Sequence, residues 1–224
     1  GFRESLRFAL ALILLITIPA AIGMAFCAEA IYSLFFLGGA FTAEDLAKSA
    51  SALAWYAPGL LFVGISRVVA PTFYALQDTR TPVWVSFWTL AVSVGCSIVL
   101  MKPMQHNGLA LALTLSSVFN AMVLLWLLNR RLAGIDLHGL FGFLLRLLPG
   151  VLAMTVVVAS LLGLVDWQVK GPFWERFALL LGAVAGGAAT YTVVCWICRV
   201  DEVKQAWQIF AERLSRQRGG SSAR

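Results

Sequence analysis

The stretch Tyr74-Ala75-Leu76-Gln77-Asp78-Thr79-Arg80-Thr81-Pro82 decides the architecture, because it is a short polar hinge between two long apolar segments. Asp78 is placed to cap the helix that follows, and Pro82 falls in that helix's first turn, where a missing N–H costs no hydrogen bond. Arg80 anchors the turn on a polar side. Outward from the hinge, six apolar blocks follow: Leu6–Leu37, Leu46–Leu76, Val83–Met101, Gly108–Leu128, Leu140–Leu164 and Phe173–Cys198. Each is about as long as the roughly 20 residues a helix needs to cross about 30 Å of hydrocarbon. Barrel strands would be about ten residues of alternating polarity. Backbone groups in lipid must be satisfied within each segment, so the expected fold is an all-α integral membrane protein with six transmembrane helices.

Composition agrees. The 224 residues are 60% hydrophobic and only 12% charged, with a mean hydropathy of +0.85. That is more apolar surface than a soluble domain of this size can bury. Arg3 and Arg7 ahead of an apolar run ending in Met24-Ala25-Phe26-Cys27-Ala28 imitate a secretory signal. The run is too long, Phe26 is a poor neighbour for a cleaved or lipid-bearing cysteine, and no soluble domain follows, so the segment reads as a membrane helix. The chain starts at Gly1 without a methionine and reads as the carboxyl-terminal part of a longer protein.

With the amino end inside, Arg3, Arg7, Arg80, Arg130, Arg131 and the tail from Arg199 share one side, opposite Lys48, Lys102, Lys170 and Arg176. The positive-inside rule then puts both ends in the cytoplasm. The net charge of +6 is a topology signal plus a basic tail facing anionic membrane lipid, with no nucleic acid required. In that tail Val203, Trp207, Phe210 and Leu214 share a helical face among Lys204, Arg213 and Arg216, which predicts a helix lying on the inner leaflet and disorder beyond Gly219.

Cys27, Cys96, Cys195 and Cys198 lie in or beside apolar helices and read as small hydrophobes. His106 and His138 fall in opposite loops, so no metal centre and no cofactor are expected. In the fourth block Gly108, Ala112, Ser116 and Asn120 recur every four residues, and in the third Ser86, Thr89, Ser93 and Ser97 form a similar line. Two readings fit these stripes: close helix packing, or a polar lining in which Ser93, Ser116 and Asn120 face a substrate pathway. Gly182 and Gly186 form a GxxxG read as packing in the last block.

Arg67 is the outstanding charge. It lies nine residues before Leu76, roughly 13 Å up the helix, where a cation is costly and a functional candidate. It either lines a wet cavity or snorkels to the inner headgroups along its stem. Pro71 withholds the N–H that would bond the Arg67 carbonyl, and Pro58, with Gly59 and Gly64, offers a second bend, so this helix is a candidate gate.

The stretch from Arg67 and Pro71 through Tyr74 to Asp78-Thr79-Arg80-Thr81-Pro82 resembles the MurJ/MviN family of lipid II flippases. So do the turn Phe35-Phe36-Leu37-Gly38-Gly39-Ala40-Phe41-Thr42 and the lead-in His106-Asn107-Gly108-Leu109-Ala110-Leu111-Ala112. The resemblance implies the second lobe of a MATE-like transporter of the multidrug, oligosaccharidyl-lipid and polysaccharide exporter superfamily. Residues 1–130 would be four second-lobe spans, 131–198 two peripheral helices flanking a groove for the polyprenyl tail, and 199–224 the tail. It further implies a multi-pass protein of the bacterial inner membrane that flips lipid II by alternating access, with Arg67 in a cationic cavity completed by the protein's amino-terminal lobe. Nothing resembles a nucleotide loop or catalytic triad, so no enzyme activity is expected. The alternatives are another exporter of the superfamily, or a membrane scaffold for cell-wall enzymes.

Overall fold

Each apolar block is one helix in the computed structural model, which describes residues 2–38, 41–132, 137–169 and 171–198. In chain order the helices are α1 (Phe2–Phe36), α2 (Ala43–Ala75), α3 (Arg80–Met104), α4 (His106–Arg131), α5 (Leu137–Leu162) and α6 (Phe173–Ile197). All six are long and apolar enough to cross a membrane. The basic tail lies outside the described residues.

The boundaries follow from local chemistry. Thr42 and Asp45 form a reciprocal capping box, in which the Asp45 N–H donates to Thr42 Oγ1 and the Thr42 N–H to Asp45 Oδ2. This satisfies two orphan donors and starts α2 three residues before the apolar run. At the other end of α2, Gln77 takes a left-handed φ of 58°. The Asp78 N–H reaches back to the Phe73 carbonyl and the Gln77 N–H to that of Tyr74, the paired bonds of a Schellman stop in which glycine is the usual residue. Between α3 and α4 the turn is tighter still. A Cβ on Gly108 would sit 2.2 Å from the Leu100 carbonyl oxygen, so this position accepts only glycine. Gly108, in the first turn of α4, therefore has a steric role.

The helices form an open array. α3 packs on α4, α4 on α2, and α2 on α1, while α5 and α6 pack on each other and together on α1. α2 and α3 barely touch despite their short hinge, because α4 stands between them. α3 is thus an edge, with Pro82 and Val85 its buried residues and Trp84, Phe87, Trp88, Val94 and Ile98 exposed. We call the end holding the hinge and the start of α1 the hinge end, and the opposite one the far end.

Glycine sets three of the helix approaches. Gly59 lies against Thr114 of α4, and Gly64 against Thr17 of α1. Gly150 of α5 faces Cys195 of α6, and Gly187 of α6 faces Val158 of α5. This corrects the reading of Gly182 and Gly186 as the packing motif: a Cβ on Gly182 would meet nothing within 4 Å and one on Gly186 only ordinary contacts. The close approach lies one residue further on, at Gly187. α2 is likewise continuous, with Pro58 and Pro71 both inside it.

Opposite effects are expected at two turn positions. Gly108→Ala forces backbone to move and lowers stability by about 2 kcal/mol, whereas Gln77→Gly relieves the left-handed residue and raises it by about 1 kcal/mol. Thermal melts of the detergent-solubilised protein check both.

Candidate functional site

The seam between α2 and α4 positions the principal charge. These helices run parallel and are tied by hydrogen bonds at a nearly constant sequence offset: Asn107 to Ser51 (offset 56), Thr114 to the Trp55 carbonyl (offset 59) and Asn120 to Ser66 (offset 54). Thr114 meets α2 one turn before Pro58, at the Trp55 carbonyl next to the Ala54 carbonyl that the proline leaves without its helical donor. The Thr89 hydroxyl of α3, which donates to the Val85 carbonyl of its own helix at 2.8 Å, lies 3.3 Å from the Asn120 oxygen, so three helices meet at one amide.

The predicted pathway residues separate. Asn120 is consumed in this junction, and Ser116 is buried and donates to the Leu113 carbonyl of its own helix. Ser116 is therefore packed in the interior. Ser93 is half-buried on α3, its carbonyl accepting from Ser97, and Ser86 is exposed. The α4 stripe is packed between neighbouring helices, with Gly108 against Leu100 of α3 and Asn120 between Ser66 of α2 and Thr89 of α3, which favours the packing reading of it.

Arg67 is exposed on α2 and makes no hydrogen bond, ion pair or ring contact with another described residue. It shares its face with Pro71 and Tyr74, also exposed, and turns away from both packed neighbours. The seam's register sets it level with about Met122, one helical turn or about 6 Å from Trp126. Trp84, Trp88, Trp126 and Trp196 are all exposed near the hinge end, as tryptophans at a membrane interface are. Arg67 thus lies about one helical turn further from the hinge end than Trp126, at the distance from the end of α2 that its place in the sequence gives.

A second feature lies between α1, α5 and α6. A cavity of about 530 Å³ runs along α1 from Leu15 to Ile31, walled by Met154 and Val158 of α5 and by Ala188, Tyr191 and Cys195 of α6. Its lining is apolar apart from a few hydroxyl and thiol groups. Tyr191 is buried and its hydroxyl donates to the Leu15 carbonyl at 2.9 Å. At the far end the α5–α6 turn is fastened to α1. Arg176 is nine-tenths buried and donates to the Asp166 carbonyl at 2.8 Å and to Ser33 Oγ at 3.4 Å, with its guanidinium 5.6 Å from the Trp167 ring. Ser33 donates in turn to the Trp167 carbonyl, and Gln168 to Glu29. Arg176, counted from sequence only as a topology charge, is a packing residue.

The family model described as lipid II flippase MurJ matches residues 1–179. The chain belongs to the MurJ lipid II flippase family. A probable lipid II flippase MurJ of Bdellovibrio bacteriovorus is 34% identical over 160 residues, 71% of this chain and 30% of that protein. The lipid II flippase MurJ of Burkholderia cenocepacia is 27% identical over 88% of this chain and 38% of its own length. A solved lipid II flippase MurJ in an inward closed conformation superposes with a TM-score of 0.73 at 23% identity, covering 90% of this chain and 40% of that one. The likeness to that structure concerns the fold. The chain spans 21–40% of the length of the curated relatives it matches, 30% in the first of them.

Within this MurJ-family chain the hinge is a joint between three helices. Asp78 accepts from both the N–H and the hydroxyl of Thr81, capping α3 from outside its first turn, and pairs with Arg131 at the end of α4 at 2.6 Å. Thr79 makes no capping bond with its side chain, Arg80 is exposed, and Pro82 is buried in the first turn. Arg131 also lies 6.0 Å from the Phe73 ring and Arg130 stacks on Trp126.

Sequence reasoning passed over Thr114, Pro19, Tyr191 and Arg146. A proline inside an apolar helix was the available signal for Pro19 and Tyr191, since it frees a carbonyl that a hydroxyl nearby can satisfy, and Thr114 carried none. Arg146 is exposed on α5. It lies one helical turn, about 6 Å, nearer the hinge end than Gly150, which packs on Cys195 of α6.

The Thr81 hydroxyl and N–H, with the Arg131 guanidinium beyond them, hold the Asp78 carboxyl below its ordinary range. A lowered carboxyl contributes stability that is fully present above its unfolded value and is lost as pH falls through the carboxylate range toward the folded one. The difference in melting temperature between wild type and Asp78→Ala should therefore be largest near neutral pH and shrink on acidification below about pH 4. A difference independent of pH contradicts the assignment.

Proposed function

We propose that the protein acts in flipping lipid II, the polyprenyl-linked peptidoglycan precursor, across the bacterial cytoplasmic membrane, as the carboxyl-terminal portion of a longer transporter. The observation that carries this is the pairing, on one family member, of an apolar groove with an arginine that has no partner among the described residues. An amphipathic lipid with a long isoprenoid tail and a pyrophosphate needs both.

In this reading α1–α4 are second-lobe helices, and α5–α6 are the two additional ones that close the groove against α1. The groove runs about 24 Å along α1, enough to hold several isoprene units out of the bulk lipid. Arg67 lies where it can pair with a phosphate oxygen through fixed donors. The amino-terminal lobe supplies the rest of the cavity and its charge, and both ends of this chain face the cytoplasm, in accord with the arginine distribution. No bond is made or broken, so the activity is transport and not catalysis.

Alternating access needs moving parts. The seam ties α2 to α4 at Trp55 and Ser66, on either side of Pro58, which supports movement of the two helices as one body. The rocking motion then occurs between this array and the amino-terminal lobe, and Pro58 and Pro71 shape α2 within its body.

The test uses the full-length parent gene in cells depleted of their own flippase, scored by lipid II exposed at the surface. With matched membrane expression, Arg67→Ala should reduce exposure about tenfold or more and Arg67→Lys should retain part of it, since a point charge replaces the planar fork. Equal exposure with Arg67→Ala would make Arg67 an interfacial anchor. Failure of the wild type itself would overturn the flippase assignment.

A further inference from the structure

Tyr191 occupies an unusual position on the groove wall. Its hydroxyl sits on the carbonyl of Leu15, four residues before Pro19, which is the carbonyl that a proline at 19 leaves without its helical donor. Pro19 itself lines the groove. On its other side the Tyr191 ring packs over Gly150, where an added Cβ would approach it to 3.3 Å. One side chain of α6 therefore touches α5 and is bonded to α1.

We propose that Pro19 and Tyr191 form a lock that sets the spacing of α1 and α6 along the groove, and so how tightly the groove grips an isoprenoid chain. The physical argument has two parts. An orphan carbonyl facing hydrocarbon is costly, so the Leu15 oxygen holds a donor wherever one is offered. Tyrosine is the one nearby side chain that offers a donor at the end of a rigid ring, and its reach fixes the distance between the two backbones. The neighbouring hydroxyl of Thr192 donates to Ala188 of its own helix and leaves that distance unaffected. α1 touches α6 less extensively than it touches α2, and the far-end fastening at Ser33 and Arg176 holds only the other extremity. Between the two, the lock is the polar tie across the groove among the described residues. Tyr191 is thus a positioning residue, acting on the lipid through the width of its site.

This rests on the reading of the groove as a lipid-tail site, and the experiment separates the two. Full-length protein in nanodiscs carries spin labels on exposed positions of α1 and α6, and is separately photolabelled with a benzophenone-bearing polyprenyl phosphate. Tyr191→Phe should lengthen and broaden the α1–α6 distance and lower labelling about threefold to tenfold. Pro19→Ala returns an N–H to the Leu15 carbonyl, which then no longer depends on the tyrosine hydroxyl for a donor, so it should have the same two effects. The double variant should be no worse than either single one, because both remove one bond, and Thr192→Val should match the wild type. An unchanged distance in Tyr191→Phe, or additive effects in the double variant, overturns the lock. A wild type that is not labelled on α1, α5 or α6 overturns the tail-site reading, while the distances still decide the lock.

Discussion

The bond from the Thr114 hydroxyl to the Trp55 carbonyl, with Gly59 pressed against Thr114, is the constraint on which the other placements depend. In lipid there is no hydrophobic drive to bring apolar helices together, so close packing and interhelical hydrogen bonds hold the bundle. Here both occur at one point, beside Pro58. Asn107 and Asn120 extend the same seam in both directions, and the Asp78–Arg131 pair closes it at the hinge. α3 reaches the array mainly through α4, and α1 reaches it through α2.

Function follows from what this seam leaves free. Tied on one side to α4 and packed on another against α1, α2 presents Arg67, Pro71 and Tyr74 outward on the face left open. The wide apolar face of α3 is exposed as well, which suits a chain that matches 40% of the solved flippase's length. The α5–α6 pair is attached differently. Polar contacts fasten it at the far end, Tyr191 fastens it near the hinge end, and the groove occupies the interval.

Much of this was legible in the sequence. Six long apolar blocks gave six helices, since length and hydropathy are what a bilayer reads. The hinge was legible because Asp78 and Pro82 have one comfortable place each at a helix start. The Schellman stop at Gln77 was not, because glutamine carries no signal for a left-handed residue. Arg67 was visible as a charge but its facing was not, since the open side of α2 is whatever the packing of α1 and α4 against it leaves. The GxxxG reading went astray by one residue for a related reason: Gly186 and Gly187 are adjacent, and only the partner helix distinguishes them. Tyr191 escaped notice because its value lies in the carbonyl opposite, freed by a proline on a helix 176 residues away.

The central claim is that α2 and α4 move as one body while the lobes rock around the substrate. Pulsed spin-label distances measure this most directly, in the full-length protein, with label pairs on α2 and α4 at both ends and a third pair from α2 to the amino-terminal lobe. The account predicts that both α2–α4 distances stay constant when lipid II is added, while the distance to the amino-terminal lobe changes. A shift at one end of the α2–α4 pair, with the other end fixed, would locate a bend at Pro58 or Pro71 and contradict it.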